Sequence, residues 1–389
     1  MSSPGATQPR YGNLVAAIAT VAACDIAMGL TLQLLPLLME AGGHPAWIIG
    51  ANTAMGPIGI LLAGPLLPRL IGNIGSRRIV YFVAIILIVA LLAMKLAPSI
   101  WWWFPLRLIF GIAAGTLFTV SEAWVLTFSS DGNRGRIMGL YTSVLAVTFS
   151  VGPLIIPWTG IDGWTPWLIA IVCILVALLP LAFVKVSDDA FKQEKHGSFF
   201  RFVRRAPLLL FAVCAATLFD NVFISFFTIF GLRNGVELDV ASRILGFGII
   251  GNVVLFYPMG WLADHWSRRG VVILTACSTI VLSLSLIWLI NTPFIWITVV
   301  LLSASAFGVY VVALTTMGDT FKGPDVVAGS AAFAAMWGVG GLVGPPIAGI
   351  AIDTFGINAM PVTLASFYVI LLIGLIRNRG HLVRQPVHG

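Results

Sequence analysis

Twelve stretches of this chain are almost free of charge, and each is long enough to cross a bilayer as a helix. They run approximately from Asn13 to Leu38, Ala46 to Leu67, Ile79 to Leu96, Trp101 to Phe128, Ile137 to Pro157 and Trp164 to Val184. The remaining six run from Leu208 to Gly231, Ala241 to Leu262, Val271 to Ile290, Phe294 to Met317, Val327 to Ile350 and Ala359 to Ile376. A hydrocarbon core needs about 20 apolar residues per helix. Within it each backbone amide must find its partner inside the protein, which favours helices. The chain is 59% hydrophobic and only 10% charged, where ordinary globular domains carry about 25% charged residues. These features predict an all-α membrane protein with 12 transmembrane helices.

The formal charge of +7 would suggest a nucleic-acid partner in a soluble chain, but its placement argues against one. With the amino terminus inside, one side of the membrane collects Arg10, Arg69, Arg77, Arg78, Arg134, Arg136, Lys185, Lys192, Lys195, Arg201, Arg204, Arg205, Arg268, Arg269, Lys322, Arg377, Arg379 and Arg384. That is 18 of the 22 basic residues, leaving Lys95, Arg107, Arg233 and Arg243 toward the outside. The positive-inside rule then puts both termini in the cytoplasm. Residues 1–10 lack the basic start and cleavage site of a secretory signal, so no processing is expected. Cys24, Cys173, Cys214 and Cys277 all fall in apolar segments and read as small packing residues, with no disulfide and no metal expected. Trp101, Trp102 and Trp103 suit an interfacial aromatic belt.

The longest interior hydrophilic stretch, Lys185 to Ala206, separates six spans from six. The expected organisation is a six-helix half over 1–184, a cytoplasmic linker over 185–206 whose SFFRFVRR tail suits a short surface helix or a plain solvated linker, and a second six-helix half over 207–389. At an offset of about 192 to 196 residues, Gly64 pairs with Gly260, Gly152-Pro153 with Gly344-Pro345, and Asp25 with Asp220. Three pairings at nearly constant offset argue for a duplicated unit of the kind that rocks about a midplane site.

The stretch GWLADHWSRR, Gly260 to Arg269, resembles the loop signature of the major facilitator superfamily. A degenerate first copy keeps Gly64, Arg69, Gly72, Arg77 and Arg78 but has Pro68 where the acid would stand. RLIFGIAAG, Arg107 to Gly115, is similar to the family's fourth-helix motif, and SEAWVL and NRGRIMGLY resemble the segments next to that motif in bacterial efflux-like members. The family's antiporter pattern on the fifth helix is half matched. Gly139 and Gly152-Pro153 are present, but Thr148 replaces the second glycine and Ile156-Pro157 the final pair. The later part recurs as Gly340, Gly344-Pro345 and Ala348-Gly349. Physically, Asp264 at a helix end can cap amides or pair with Arg268 or Arg269, and Gly260 lets helices approach, so the cluster can latch one side.

Ionisable groups within spans mark sites, because lipid offers them no partner. Asp25, Gly29, Gln33 and Pro36 share one helical face, as do Arg107, Gly111, Gly115, Phe118 and Glu122. Arg107 and Glu122 are about 22 Å apart along their helix and so do not pair with each other. A carboxyl closed off from water holds its proton and releases it when hydrated, which makes Asp25 and Asp220 proton-carrier candidates. Glu122 reads as a further site residue or as a structural partner of Arg134. The resemblance implies a cavity lined by spans 1, 4, 7 and 10, adding Gln33, Asn221, Phe223, Phe227 and Tyr310. It also implies gating by Gly64, Arg69, Arg77, Arg78, Gly152, Pro153, Gly260, Asp264, Arg268, Arg269, Gly344 and Pro345. No phosphate-loop, zinc-protease or nucleophile-elbow motif occurs, so no cofactor and no enzyme activity are expected.

The expectation is a monomeric, multi-pass secondary transporter of a bacterial inner membrane. It would move a small organic solute by alternating access, with proton-coupled export as its energetics. A facilitator or importer, a lipid flippase on the same fold, and a non-transporting membrane sensor are the alternatives.

Overall fold

The computed structural model describes residues 11–129, 134–181, 199–321 and 324–377. Thirteen α-helices lie among the described residues. The first six are α1 (Tyr11–Ala41), α2 (Ala46–Ile74), α3 (Ser76–Leu96), α4 (Trp103–Phe128), α5 (Arg134–Thr159) and α6 (Thr165–Leu181). A short α7 (Phe199–Arg205) is followed by α8 (Pro207–Arg233), α9 (Leu238–His265), α10 (Arg268–Leu289), α11 (Ile295–Thr320), α12 (Pro324–Phe355) and α13 (Ala359–Arg377). Ten of these are long and apolar enough to cross a membrane, and Thr165–Leu181 is a shorter apolar helix.

Several helices overrun the apolar segments read from sequence. α2 continues to Ile74 and α12 begins at Pro324, because polar residues continue a helix once it has left the apolar layer. Phe199–Arg205 of the SFFRFVRR tail forms α7, which packs on α12.

The two sets of six helices make the same contacts. α1 packs on α4, α5 and α6, α2 on α4, and α3 on α4 and α6. In parallel, α8 packs on α11, α12 and α13, α9 on α11, and α10 on α11 and α13. Between the sets, α2 packs on α12, α5 on α9 and α1 on α8. The connections at 42–45, 97–99, 160–164, 234–237, 290–294 and 356–358 gather at one end, here called distal; the start of α1 and the end of α13 lie at the other, proximal, end.

Burial is arranged for a lipid solvent. Phe82, Ile85 and Val89 on α3 and Val281 and Trp288 on α10 are exposed, while Thr20, Asn52, Thr217, Ser242, Thr275 and Thr279 are buried. Such an apolar exterior would be a liability in water. Trp101, Trp102, Trp164, Trp288 and Phe294 are exposed at the distal end. Trp103 departs from the expected belt: its indole N–H donates to the Met94 carbonyl at 2.9 Å and its ring meets Trp167 edge-on. Of the cysteines, Cys24 and Cys214 are buried as expected, Cys173 is half-buried and Cys277 is exposed; all four are free.

Candidate functional site

The α1–α5 seam holds the principal acid. Asp25 is 3% exposed and accepts a hydrogen bond at 3.1 Å from the Thr148 hydroxyl of α5, which also donates back to its own helix at Val144. One turn further along both helices, a Cβ on Gly29 would strike the Phe149 carbonyl, and one on Gly152 would strike the backbone of Gly29 and Leu30. These glycines bring the two backbones close enough for a threonine to reach the acid. Pro153 and Pro157 lie within α5 just beyond this crossing.

The repeat counterpart differs. Asp220 on α8 is half-buried, and where Thr148 stands in α5, α12 carries Gly340, packed against Thr217. Asn221 donates to the Thr217 carbonyl of its own helix at 2.9 Å. Phe223 and Phe227 belong to a column with Phe219, with ring centroids 5.2 and 4.8 Å apart and the rings almost fully buried. In this structure those rings pack against protein and do not line open space.

Arg107 is buried at 2% exposure, and its Nη1 donates to Asn52 Oδ1 of α2 at 3.1 Å. Its Nη2 and Asn52 Nδ2 have no partner among the described residues. Gln33 donates through Nε2 to the Thr228 hydroxyl of α8 at 2.9 Å and the Ser242 hydroxyl of α9 at 2.8 Å. It thereby binds its own repeat counterpart across the two sets of helices. Glu122 of α4 is exposed, whereas Tyr310 of α11 is half-buried.

Polar bonds that sequence reasoning missed join the two sets of helices at the distal end. Glu40, at the end of α1, receives Arg233 of α8 in a two-pronged ion pair, Nε to Oε1 at 2.6 Å and Nη2 to Oε2 at 2.8 Å. α2 has no side-chain N-cap of its own. Asp353 of α12 instead accepts from the Ala46 and Trp47 amides at 2.9 and 2.8 Å, satisfying two of the orphan donors that every helix start presents. The legible signal was the spacing: Glu40 and Arg233 stand near the same point of each repeat, 193 residues apart.

At the proximal end the ion pairs among the described residues join α7 to α12, Arg205 to Asp325 at 3.5 Å, and α10 to α11, Arg268 to Asp319. Arg268 thus has an acid of α11 as partner. Gly260 lies within α9, and the side chains of Arg69, Asp264 and Arg134 lie outside what the structure describes. Arg77, Arg78 and Arg269 are exposed, and space is open beside Gly64. Gly344 and Pro345 sit in the α12 interfaces: a Cβ on Gly344 would meet Leu218 and Val222 of α8, and the Pro345 carbonyl closes on Gly50 of α2. No group of three or more metal-ligating side chains occurs among the described residues.

A two-part helical bundle with an apolar exterior, buried ionisable groups and small-residue helix crossings is a multi-pass membrane protein of the transporter class. The chain belongs to the Major Facilitator Superfamily, whose family model matches residues 16–319 and 250–387. It is 24% identical over 370 residues to the MFS-type transporter YfkF of Bacillus subtilis (strain 168), spanning 91% of this chain and 93% of the relative. It is also 24% identical over 375 residues to the MFS-type transporter YcaD of Salmonella typhimurium (strain LT2), spanning 93% and 95%. Among solved structures, the nucleoside transporter NupG superposes with a TM-score of 0.78 at 12% identity, covering 95% of this chain and 99% of that one. A bacterial homologue of the human lysosomal transporter Spinster, in an inward-facing and unoccupied conformation, superposes with a TM-score of 0.80 at 13% identity, covering 98% and 100%. These relatives and neighbours are transporters, not enzymes.

Proposed function

We propose that this chain is a monomeric secondary active transporter of a bacterial inner membrane, with twelve spanning helices, both termini cytoplasmic, and halves at 1–184 and 207–389 joined by the 185–206 linker. It moves a small organic solute by alternating access. The carrying observation is the group of polar bonds that join the two sets of helices at one end. Glu40–Arg233, Asp353 on the α2 amides, and Gln33 on Thr228 and Ser242 all join the sets toward the distal end. With the basic loops placed inside, the distal end is the outer face, and the chain is closed there. Opening it requires breaking these bonds.

Proton-coupled export is the energetics that fits acids placed within spans, Asp25 buried and Asp220 half-buried. Asp25 is sealed between α1 and α5 in the outer-closed form, and sliding of α5 along the glycine crossing would admit water to it. One charge moved through the membrane potential is worth about 2.3 kcal/mol per 100 mV, enough to bias a cycle. The test is reconstitution in liposomes with a solute first found by ligand-induced thermal stabilisation. Accumulation driven by an imposed pH gradient should be lost in Asp25→Asn and reduced in Asp220→Asn. Unchanged gradient-driven flux in the double variant would overturn the coupling, and its loss with no effect on solute exchange would support it.

A further inference from the structure

The linker helix is too short to stand on its own. α7 has seven residues, Phe199–Arg205, and an isolated helix of fewer than about 12 is marginal in water, so its conformation comes from what it rests on. Pro207 has no N–H to continue the hydrogen bonds of α7 and disfavours helical geometry at the residue before it. Ala206 accordingly has φ −129° and ψ 51°, and the chain bends there, carrying α7 off the α8 axis and onto α12. Phe202 is 3% exposed, and its ring centroid lies 4.7 Å from that of Phe321, just past the end of α11. A Cβ on Gly329 of α12 would stand 2.8 Å from Phe202 Cε2 and 2.6 Å from Met317 Sδ of α11, so residues of three helices converge over that glycine. Met317 and Phe321 are buried with the ring. Arg205 places its guanidinium carbon 5.3 Å from the Phe321 ring centroid and its Nη1 3.5 Å from the Asp325 carboxylate of α12. Elsewhere α11 packs chiefly on α9 and α10, and α12 on α2 and α8. The two share little surface of their own, and α7 supplies the joint at this corner.

We propose that α7 is a clamp at the proximal end: Phe202, seated in a socket of Met317, Phe321 and Gly329, fixes the end of α11 to the start of α12 so that the two move as one. The ring dominates the joint. It is close-packed and withdrawn from solvent, where filling a socket counts most. The Arg205–Asp325 pair is more than a third exposed, at 39% and 38%, and adds little. At position 329 the absence of a side chain is what admits the ring, since a Cβ there would take its space. The consequence reaches beyond the corner. α12 is a helix of the second set that packs on α2 of the first, through Pro345 at Gly50 and Gly341 at Pro57. Displacement of α12 against α2 is therefore carried by the clamp to α11 and to the linker. The inference concerns how the helices of one set move together, and it holds whatever solute or ion the protein carries.

The test is hydrogen–deuterium exchange of the purified full chain in detergent, read by mass spectrometry. The amides of Val203, Arg204, Arg205 and Ala206 follow the four orphan donors that open every helix, and Ala206 N donates to the Phe202 carbonyl at 3.0 Å. In the unmodified protein they should exchange at least about tenfold more slowly than an unstructured chain, because a helix of this length is protected only when docked. Phe202→Ala should remove that protection. It should also speed exchange at least about tenfold in the last turn of α11 and in the first turns of α12 up to Gly329, while the buried middle of α8 stays as it was. Gly329→Ala should act at the same places with Phe202 intact, because the methyl group displaces the ring. Arg205→Ala, which leaves the ring seated, should change exchange there by less than about threefold. Unprotected α7 amides in the unmodified protein overturn the proposal, a measurement that needs no variant to fold. So does a Phe202→Ala protein in which only α7 exchanges faster or nothing changes, since α7 would then rest on the corner without holding it. A rise of equal size throughout the bundle overturns it as well, since the ring would then support the fold as a whole.

Discussion

A carboxylate and a guanidinium are held within the bundle by different means, and the difference is informative about each. Asp25 has a hydroxyl partner in Thr148 and a glycine crossing beside it. Arg107 is buried with one described acceptor, Asn52, and an unpartnered Nη2. Leaving a buried charge under-bonded costs free energy, so the closed form carries a cost at Arg107 that a change of state or an arriving ligand can relieve. Replacing it with a well-packed apolar residue should stabilise the closed form: Arg107→Met is expected to raise the thermal midpoint, by about 1 to 3 kcal/mol of stability, while lowering solute flux. Differential scanning fluorimetry alongside a flux assay checks both, and a fall in both would show that Arg107 stabilises the fold. At Asp25 the opposite separation applies. Asp25→Asn keeps a polar group within reach of Thr148, so exchange of solute down its own gradient should persist while uphill accumulation driven by pH fails.

Helix α5 shows what a pattern in the sequence can and cannot convey. Gly139 and Gly152 are both glycines of the half-matched motif, but a Cβ on Gly139 would meet open space, whereas one on Gly152 would enter the backbone of α1. Thr148, which breaks the motif, is the residue that binds Asp25. The apolar segments, the matched features of the two halves and the acids within apolar spans were legible because each is a local property of composition, periodicity or spacing. The partner of each acid was not, since that depends on which faces of two helices meet. Phe223 and Phe227 illustrate the same limit: their helix and depth were readable, but their stacking into a closed column with Phe219 depends on rotation about the α8 axis. At this scale, Gly152→Val should lower stability by about 1 to 3 kcal/mol through overpacking and block the α1–α5 slide. Gly139→Ala, with open space beside it, should change thermal stability by less than about 0.5 kcal/mol. Similar losses in the two variants would disprove the seam's special role.

On the alternating-access reading, the polar bonds at the distal end favour one state of the molecule, and their worth can be bounded. The Glu40–Arg233 pair is partly exposed, with side chains 18% and 34% accessible, so it contributes no more than about 1 kcal/mol. Asp353 on the first amides of α2 adds about 1 kcal/mol as a cap near a helix dipole. Together they favour the distal-closed form by about 2 kcal/mol, a population factor of about 30, which is small enough for a ligand or a proton to reverse. Glu40→Arg combined with Asp353→Asn should therefore shift the protein markedly toward a distal-open form. Spin labels at His44 and Glu237, in the connections that flank the ion pair, would report it as a second, longer distance by pulsed electron resonance. The charge-reversed pair Glu40→Arg/Arg233→Glu should restore the short distance, because the attraction does not depend on which helix carries which sign. If the double reversal stayed open, closure would rest on the α2–α12 packing at Gly50 and Pro345 and the polar bonds would be incidental to it. If the Glu40→Arg/Asp353→Asn protein kept only the short distance, the distal end would be held shut by helix packing throughout the cycle, and alternating access about this interface would fail as the mechanism.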